Sequence, residues 1–135
     1  MALAVSFEDM GLKNNNAKAV VLAKTLDAAT GKLLDTNKNP SPKTGQLDNR
    51  GSQFYLAMYW AQELANQSED KELAAQFKTL AKTLTDNEAQ IVAEMKTVQG
   101  KAVDIGGYYK ADSEKCKAVM RPSATLNAAL KAARA

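Results

Sequence analysis

Histidine is absent from these 135 residues. Its absence removes the commonest general base, the commonest zinc ligand and every Ser-His or Cys-His arrangement at once. Few other candidates for chemistry remain. Asp48-Asn49-Arg50 with Gly51-Ser52 puts a cation and several backbone N–H groups at the expected start of a helix. That is the general make-up of an anion site, although helix caps of this composition are common without any ligand. Cys116 stands between Lys115 and Lys117, neighbours of the kind that lower a thiol pKa. With no base to accompany it, Cys116 reads as a structural or incidental thiol. Gly106-Gly107 lacks both the G-x-G-x-x-G spacing and the preceding strand of a dinucleotide fingerprint. Carboxylates are plentiful, but no pair stands where a shifted pKa or a metal site would be expected. The residues supply no complete catalytic set.

The elements that must position these residues are expected to be helical. Apolar residues make up 45% of the chain, much of it alanine, and aromatics only 6%. Such a composition suits closely packed helices better than sheets. The 3 prolines, at positions 40, 42 and 122, fall where loops are expected and leave long stretches free for helix. Lys and Arg outnumber Asp and Glu by 18 to 15, and the signs are interspersed. No basic stripe of the nucleic-acid-binding kind is present, and no apolar run is long enough to span a bilayer. The N-terminus lacks the basic region and apolar core of a signal peptide. A single cysteine excludes an internal disulfide and fits a reduced cytoplasmic setting.

Along the chain, Leu3 to Lys13 reads as a short helix with Leu3, Phe7 and Met10 on one side and Glu8 and Asp9 on the other. No capping residue precedes it. That fits missing upstream sequence, or equally a true start at Met1 with a frayed first turn. Asn14-Asn15-Asn16 supplies a cap for a helix over 17–35, whose face is Ala19, Leu22, Leu26, Ala29 and Leu33. Gly31 is a weak point in its last turn. Residues 36–50 form a long loop carrying Lys38, Lys43 and Arg50, and loops of this length are usually functional or disordered. A helix over 52–67, capped by Asn49 or Ser52, contains Phe54 to Ala61 and is apolar nearly all round. It is expected at the centre of the core, because an aromatic cluster at this spacing is more often core than cofactor box. Leu73, Phe77, Leu80, Leu84, Ile91, Met95 and Val98 predict one helix over 70–99, closed by Gly100. Thr85-Asp86-Asn87-Glu88 spells a capping box that would split it, but the seam favours one helix. An irregular tail covers 101–123, with a Gly-Gly turn and a short helix at 113–120. Ser123 then caps a last helix to about Ala133. The expected fold is all-α, a single helical domain over 1–135 with five to six helices.

Several long stretches resemble one family. Gly45 to Gln62 closely resembles a segment of the monomeric type of NADP-dependent isocitrate dehydrogenase. So do Ala17-Lys18-Ala19 with Leu22 to Asp35, and Val103-Asp104-Ile105-Gly106-Gly107-Tyr108-Tyr109. Met120 to Thr125 with Asn127 to Leu130 looks like that family's C-terminus. The similarity runs from Ala2 to the end and corresponds to the C-terminal part of the large domain in a much longer chain. It implies an oxidative decarboxylase of isocitrate that uses NADP and Mg or Mn in the full-length form. In the family the isocitrate-binding residues, the metal-binding aspartates and most NADP contacts lie upstream, including an R-W-D stretch that would come just before Ala2. The resemblance also places a cofactor-binding arginine in a P-S-R-K stretch of the loop. Here the residues are Pro40-Ser41-Pro42-Lys43, so Pro42 stands in the arginine's place. Lys43 is then a point-charge substitute without arginine's bidentate fork, and Arg50 is its expected companion in cofactor binding.

The chain alone is therefore expected to be inactive, with no catalytic or metal residues and no tightly bound cofactor. Its expected partner is the remainder of the enzyme, or another protein, held through exposed apolar helix faces. Self-association would use the same faces. The competing class is a helical interaction module that has kept the fold without the activity.

Overall fold

The helix α3 (Asn49–Asn66) is apolar around most of its circumference, so it cannot stand at a surface. In the computed structural model, which describes residues 2–134, its Phe54, Tyr55, Met58, Tyr59, Ala61 and Leu64 are all buried. Two helices flank it. One is α2 (Ala17–Asp35), contributing Ala29 and Leu33 to the core, and the other is α4 (Lys71–Asp86), contributing Ala81 and Leu84. The buried aromatics also place their polar atoms. Trp60 Nε1 donates to Thr25 Oγ1 at 3.0 Å, Tyr59 and Thr36 share a hydroxyl bond of 3.1 Å, and the Tyr55 hydroxyl donates to Glu88 Oε1 at 2.6 Å. Burial, together with that bond to Glu88, pushes the Tyr55 phenol well above its ordinary range.

The described residues are all-α, with no strand among them, and α1 (Ala2–Lys13), α5 (Glu88–Lys96), α6 (Ser113–Met120) and α7 (Ala124–Ala132) complete the set. The helices at 17–35 and 113–120 occupy their expected bounds, and α2 runs through Gly31 without interruption. The Asn16 side chain caps α2 by accepting from Ala19 N at 3.2 Å.

Two expectations need correction. The single helix over 70–99 is two, α4 and α5, broken at Asn87, which raises the total to seven among the described residues. The break is no capping box. Thr85 Oγ1 donates back to the Ala81 carbonyl at 2.8 Å, and Asn87 Nδ2 donates back to the Thr83 carbonyl at 2.8 Å. Side chains that bond to the preceding turn bend a helix without giving it a fresh start. The apolar seam survives the bend, with Leu73, Leu84, Ile91 and Met95 buried on both sides of it. The helix also ends sooner than expected, at Lys96 with Thr97 as its C-cap, so Gly100 at φ +69° belongs to the turn that follows and does not cap it.

The second correction concerns α1. Its inward face is Ala4, Phe7 and Gly11, whereas Leu3 and Met10 stay in solvent. The reason is close approach: a Cβ on Gly11 would lie 2.7 Å from Val20 Cγ2 and 3.0 Å from Val20 N. Small residues let α1 settle tightly on α2, and the larger apolar side chains are left outside.

At the other end, α7 is held by a carboxylate from α5. Ser123 caps α7 by accepting from Leu126 N at 3.0 Å, and its own hydroxyl donates to Glu94 Oε2 at 2.6 Å. Thr125 donates to Glu94 through its hydroxyl at 2.8 Å and its backbone N–H at 3.2 Å. A negative charge at a helix N-terminus is well placed against the helix dipole. The hydroxyls of Ser123 and Thr125 lower the Glu94 pKa from 4.5 to about 2. A depressed folded value gives stability that is present above pH 4.5 and is lost as pH falls from 4.5 toward about 2. Acid titration of the amide signals of α7 by NMR should show this loss in that window. Glu94→Gln should flatten the window while leaving the α3 signals in place.

Candidate functional site

The loop expected at 36–50 ends at Asp48, because α3 begins at Asn49, and it is an ordered turn pinned to the turn that follows α5. Ser41 N donates to the Leu47 carbonyl at 2.7 Å, and Gln46 N donates to the Lys43 carbonyl at 3.2 Å, closing the loop on itself. Gln99 then clamps it twice. Its Oε1 accepts from Gly45 N at 2.8 Å, and its Nε2 donates to the Gln46 carbonyl at 3.0 Å. Gln99 went unnoticed in the sequence because its partners lie more than 50 residues away and nothing local marks it.

The start of α3 is capped by Asp48 rather than by Asn49 or Ser52. Asp48 Oδ1 accepts from Gly51 N at 3.0 Å. Its other oxygen accepts from Arg50 Nε at 2.8 Å and Nη2 at 2.6 Å. Arg50 Nη1 reaches across to the Val119 carbonyl at 2.8 Å, in the last turn of α6. Both side chains of this pair are about one-fifth exposed, so water screens them less than a surface pair. Burial opposes ionisation of Asp48, but the Gly51 N–H and the Arg50 guanidinium outweigh it and hold the carboxyl below its ordinary range. The anion position at this helix start is thus taken by the chain's own carboxylate.

Lys43 and Arg50 line one cleft of about 290 Å³, together with Pro42, Asp48, Gln99 and Lys101. Lys43 is exposed and makes no ion pair among the described residues. Arg50 is different, since Asp48 neutralises it and Val119 fixes its direction. Cys116 lies outside the cleft, half-buried on α6. Its neighbours are engaged elsewhere, Lys115 with Asp104 at 2.5 Å and Lys117 with Glu114 at 2.6 Å. Among the described residues no three carboxylate or thiol side chains converge as a metal site would need. No described helix is long and apolar enough to cross a membrane.

A family model described as monomeric isocitrate dehydrogenase matches residues 1–131. The chain belongs to the monomeric isocitrate dehydrogenase family. It is 64% identical over 132 residues to isocitrate dehydrogenase [NADP] 2 of Mycobacterium tuberculosis, covering 98% of this chain and 18% of that protein. It is 60% identical to isocitrate dehydrogenase [NADP] of Azotobacter vinelandii, over 96% of this chain and 18% of that protein. The figure for isocitrate dehydrogenase [NADP] 2 of Colwellia maris is 57%, over 98% and 18%. The chain thus spans about 18% of the length of these relatives.

Within the monomeric isocitrate dehydrogenase frame, Pro42 lines the same cleft as Lys43. A proline presents no donor to a phosphate. The acidic neighbour Asp48 further offsets the cations beside it. The cleft's architecture depends on the Asp48 cap, so Asp48→Ala should cost roughly 1 kcal/mol in denaturant unfolding. Arg50→Ala should release α6 from α3, read as faster amide exchange across 113–120 with α2 and α4 unchanged.

Proposed function

We propose that this chain is the C-terminal helical segment of an NADP-dependent isocitrate dehydrogenase. In that reading the full-length enzyme converts isocitrate to 2-oxoglutarate by oxidative decarboxylation, in the cytoplasm, as a step of the tricarboxylic acid cycle. The observation that carries this is the family match over residues 1–131 combined with a span of only 18% of each relative. A part of that size would supply scaffold and one edge of the cofactor site, while substrate and metal ligands come from elsewhere in the polypeptide.

In this reading Lys43 and Arg50 are the chain's contribution to cofactor binding. The residues present do not complete an NADP site. Lys43 offers one ammonium, Pro42 offers nothing, and Arg50 is already spent on Asp48 and Val119. The Mg or Mn that the full-length enzyme would use finds no cluster of ligands among the described residues. In this reading the chain alone is expected to be inactive and to bind no cofactor tightly.

The exposed apolar side chains support a partner. Leu3, Val5 and Leu12 on α1, Met120 on α6, and Tyr108 and Tyr109 in the tail all stand in solvent. The partner in this reading is the remainder of the enzyme. The same observation favours a second reading, a helical module that binds another protein through those faces.

Each exposed cation contributes at most about 1 kcal/mol. Of Lys43 and Arg50, Lys43 is the exposed one, and a contribution of that size falls far short of the roughly 8 kcal/mol that micromolar binding requires. Calorimetric titration should find NADP binding to the isolated chain no tighter than about millimolar, abolished by salt. Purified chain should reduce no NADP with isocitrate and Mg or Mn. Micromolar, NADP-selective binding lost in Lys43→Ala would show that the site is complete within these residues, against this reading.

A further inference from the structure

Two lysines from distant parts of the sequence line the cleft beside the 36–48 loop. Lys43 comes from the loop and Lys101 from the chain just after the turn that follows α5. Neither makes an ion pair among the described residues. The one carboxylate that lines the cleft among the described residues, Asp48, is bound to Arg50. Two ammonium groups are therefore left unmatched on one concave surface. What sets their spacing is Gln99. Its backbone N–H donates to the Lys96 carbonyl at 3.2 Å, which ties it to the last turn of α5. From there its side chain grips the loop twice, accepting from Gly45 N at 2.8 Å and donating to the Gln46 carbonyl at 3.0 Å. An amide that uses both its acceptor and its donor fixes direction as well as distance. The next residue brings the two segments into contact. Gly100 stands at φ +69°, and a Cβ there would lie 2.9 Å from Thr44 Cγ2. The segments thus meet next to Lys43 on one side and next to Lys101 on the other.

We propose that Gln99 is a positioning residue, which by clamping the loop holds Lys43 and Lys101 at one spacing as a two-ammonium site for a phosphate group of the cofactor. The inference rests on the cofactor role proposed for Lys43, and it adds Lys101 as a second contact. Pro42 offers no donor and Arg50 is committed to Asp48 and Val119, so the charge that meets a phosphate here is carried by lysines. A lysine is a point charge on a flexible stem. Its reach serves a defined ligand only when the stem starts from a fixed base. The two bonds of Gln99 supply that base for Lys43, and its own attachment to α5 supplies it for Lys101. Gln99 acts through the loop backbone, where both of its side-chain polar atoms are engaged.

Steady-state kinetics of the full-length enzyme, together with an NMR titration of the 135-residue chain, test it. Gln99→Met keeps the length of the side chain and removes both bonds. It should raise the KM for NADP about fivefold, the size of one lost charge contact. Meanwhile kcat and the KM for isocitrate should stay within about twofold. Lys43→Ala and Lys101→Ala should each raise the KM for NADP in the same way. In an enzyme lacking both lysines, Gln99→Met should add nothing further. In the chain, inorganic phosphate should shift the amide signals of 43–46 and 99–101, and Gln99→Met should weaken that response while leaving α2 and α4 unmoved. A silent Gln99→Met beside a Lys43→Ala that raises the KM overturns the inference alone. So does a Gln99→Met effect that persists without the lysines, one that falls equally on isocitrate, or a chain that gives no phosphate response. An enzyme in which neither lysine affects NADP, or which reduces no NADP, overturns the proposed cofactor role along with it.

Discussion

An amphipathic helix can rest on one neighbour, but α3 cannot. Its apolar side chains point in nearly every direction, and burying them requires partners on at least two sides. The fold follows from that demand, with α2 and α4 both packed against α3, and α5 and α7 closing the end where Ile91, Met95 and Ala129 join the core. The polar atoms of Tyr55, Tyr59 and Trp60 turn burial into register. Each finds a partner on another element, namely Glu88, Thr36 and Thr25. A slipped helix would leave these groups unsatisfied at a cost of about 1–3 kcal/mol each.

The same helix sets up the candidate site. Its N-terminus needs a cap, Asp48 provides it, and the spare oxygen of Asp48 captures Arg50. Arg50 then carries the connection on to Val119, so the tail is tied to the core through a cation that looks available in the sequence. A residue type suited to a phosphate has been used to hold the start of α3 to the last turn of α6. What is left for a ligand is Lys43 and Lys101, beside a loop that closes on itself and is clamped by Gln99.

Much of this was legible before any coordinates, and the exceptions share a cause. The centrality of α3 could be read because a helix apolar on all sides has only one kind of home. Ser123 and Asn16 were recognisable caps because capping is local. The inward face of α1 was misread because large apolar residues usually mark the buried side, whereas here Ala4 and Gly11 set it by permitting close approach to Val20. The bend at Asn87 depends on side chains bonding backward rather than forward, a choice the capping-box pattern does not reveal. Gln99 was invisible because its effect is made across the fold. The family relationship was legible because its matching stretches are long, but no stretch of sequence showed that Arg50 was already committed.

In this fold α3 and its two neighbouring helices form one cooperative unit to which the site and the tail are attached. Native-state hydrogen exchange on the 135-residue chain tests this most directly, because it reports the opening free energy of each segment separately. Amides of α2, α3 and α4 should exchange together and slowest, at the free energy of global unfolding. Those of α6 and residues 101–112 should exchange through smaller openings that leave the three helices protected. If α3 exchanges as fast as α1 or the tail, or if α2 and α4 remain protected after α3 has opened, α3 does not organise this fold.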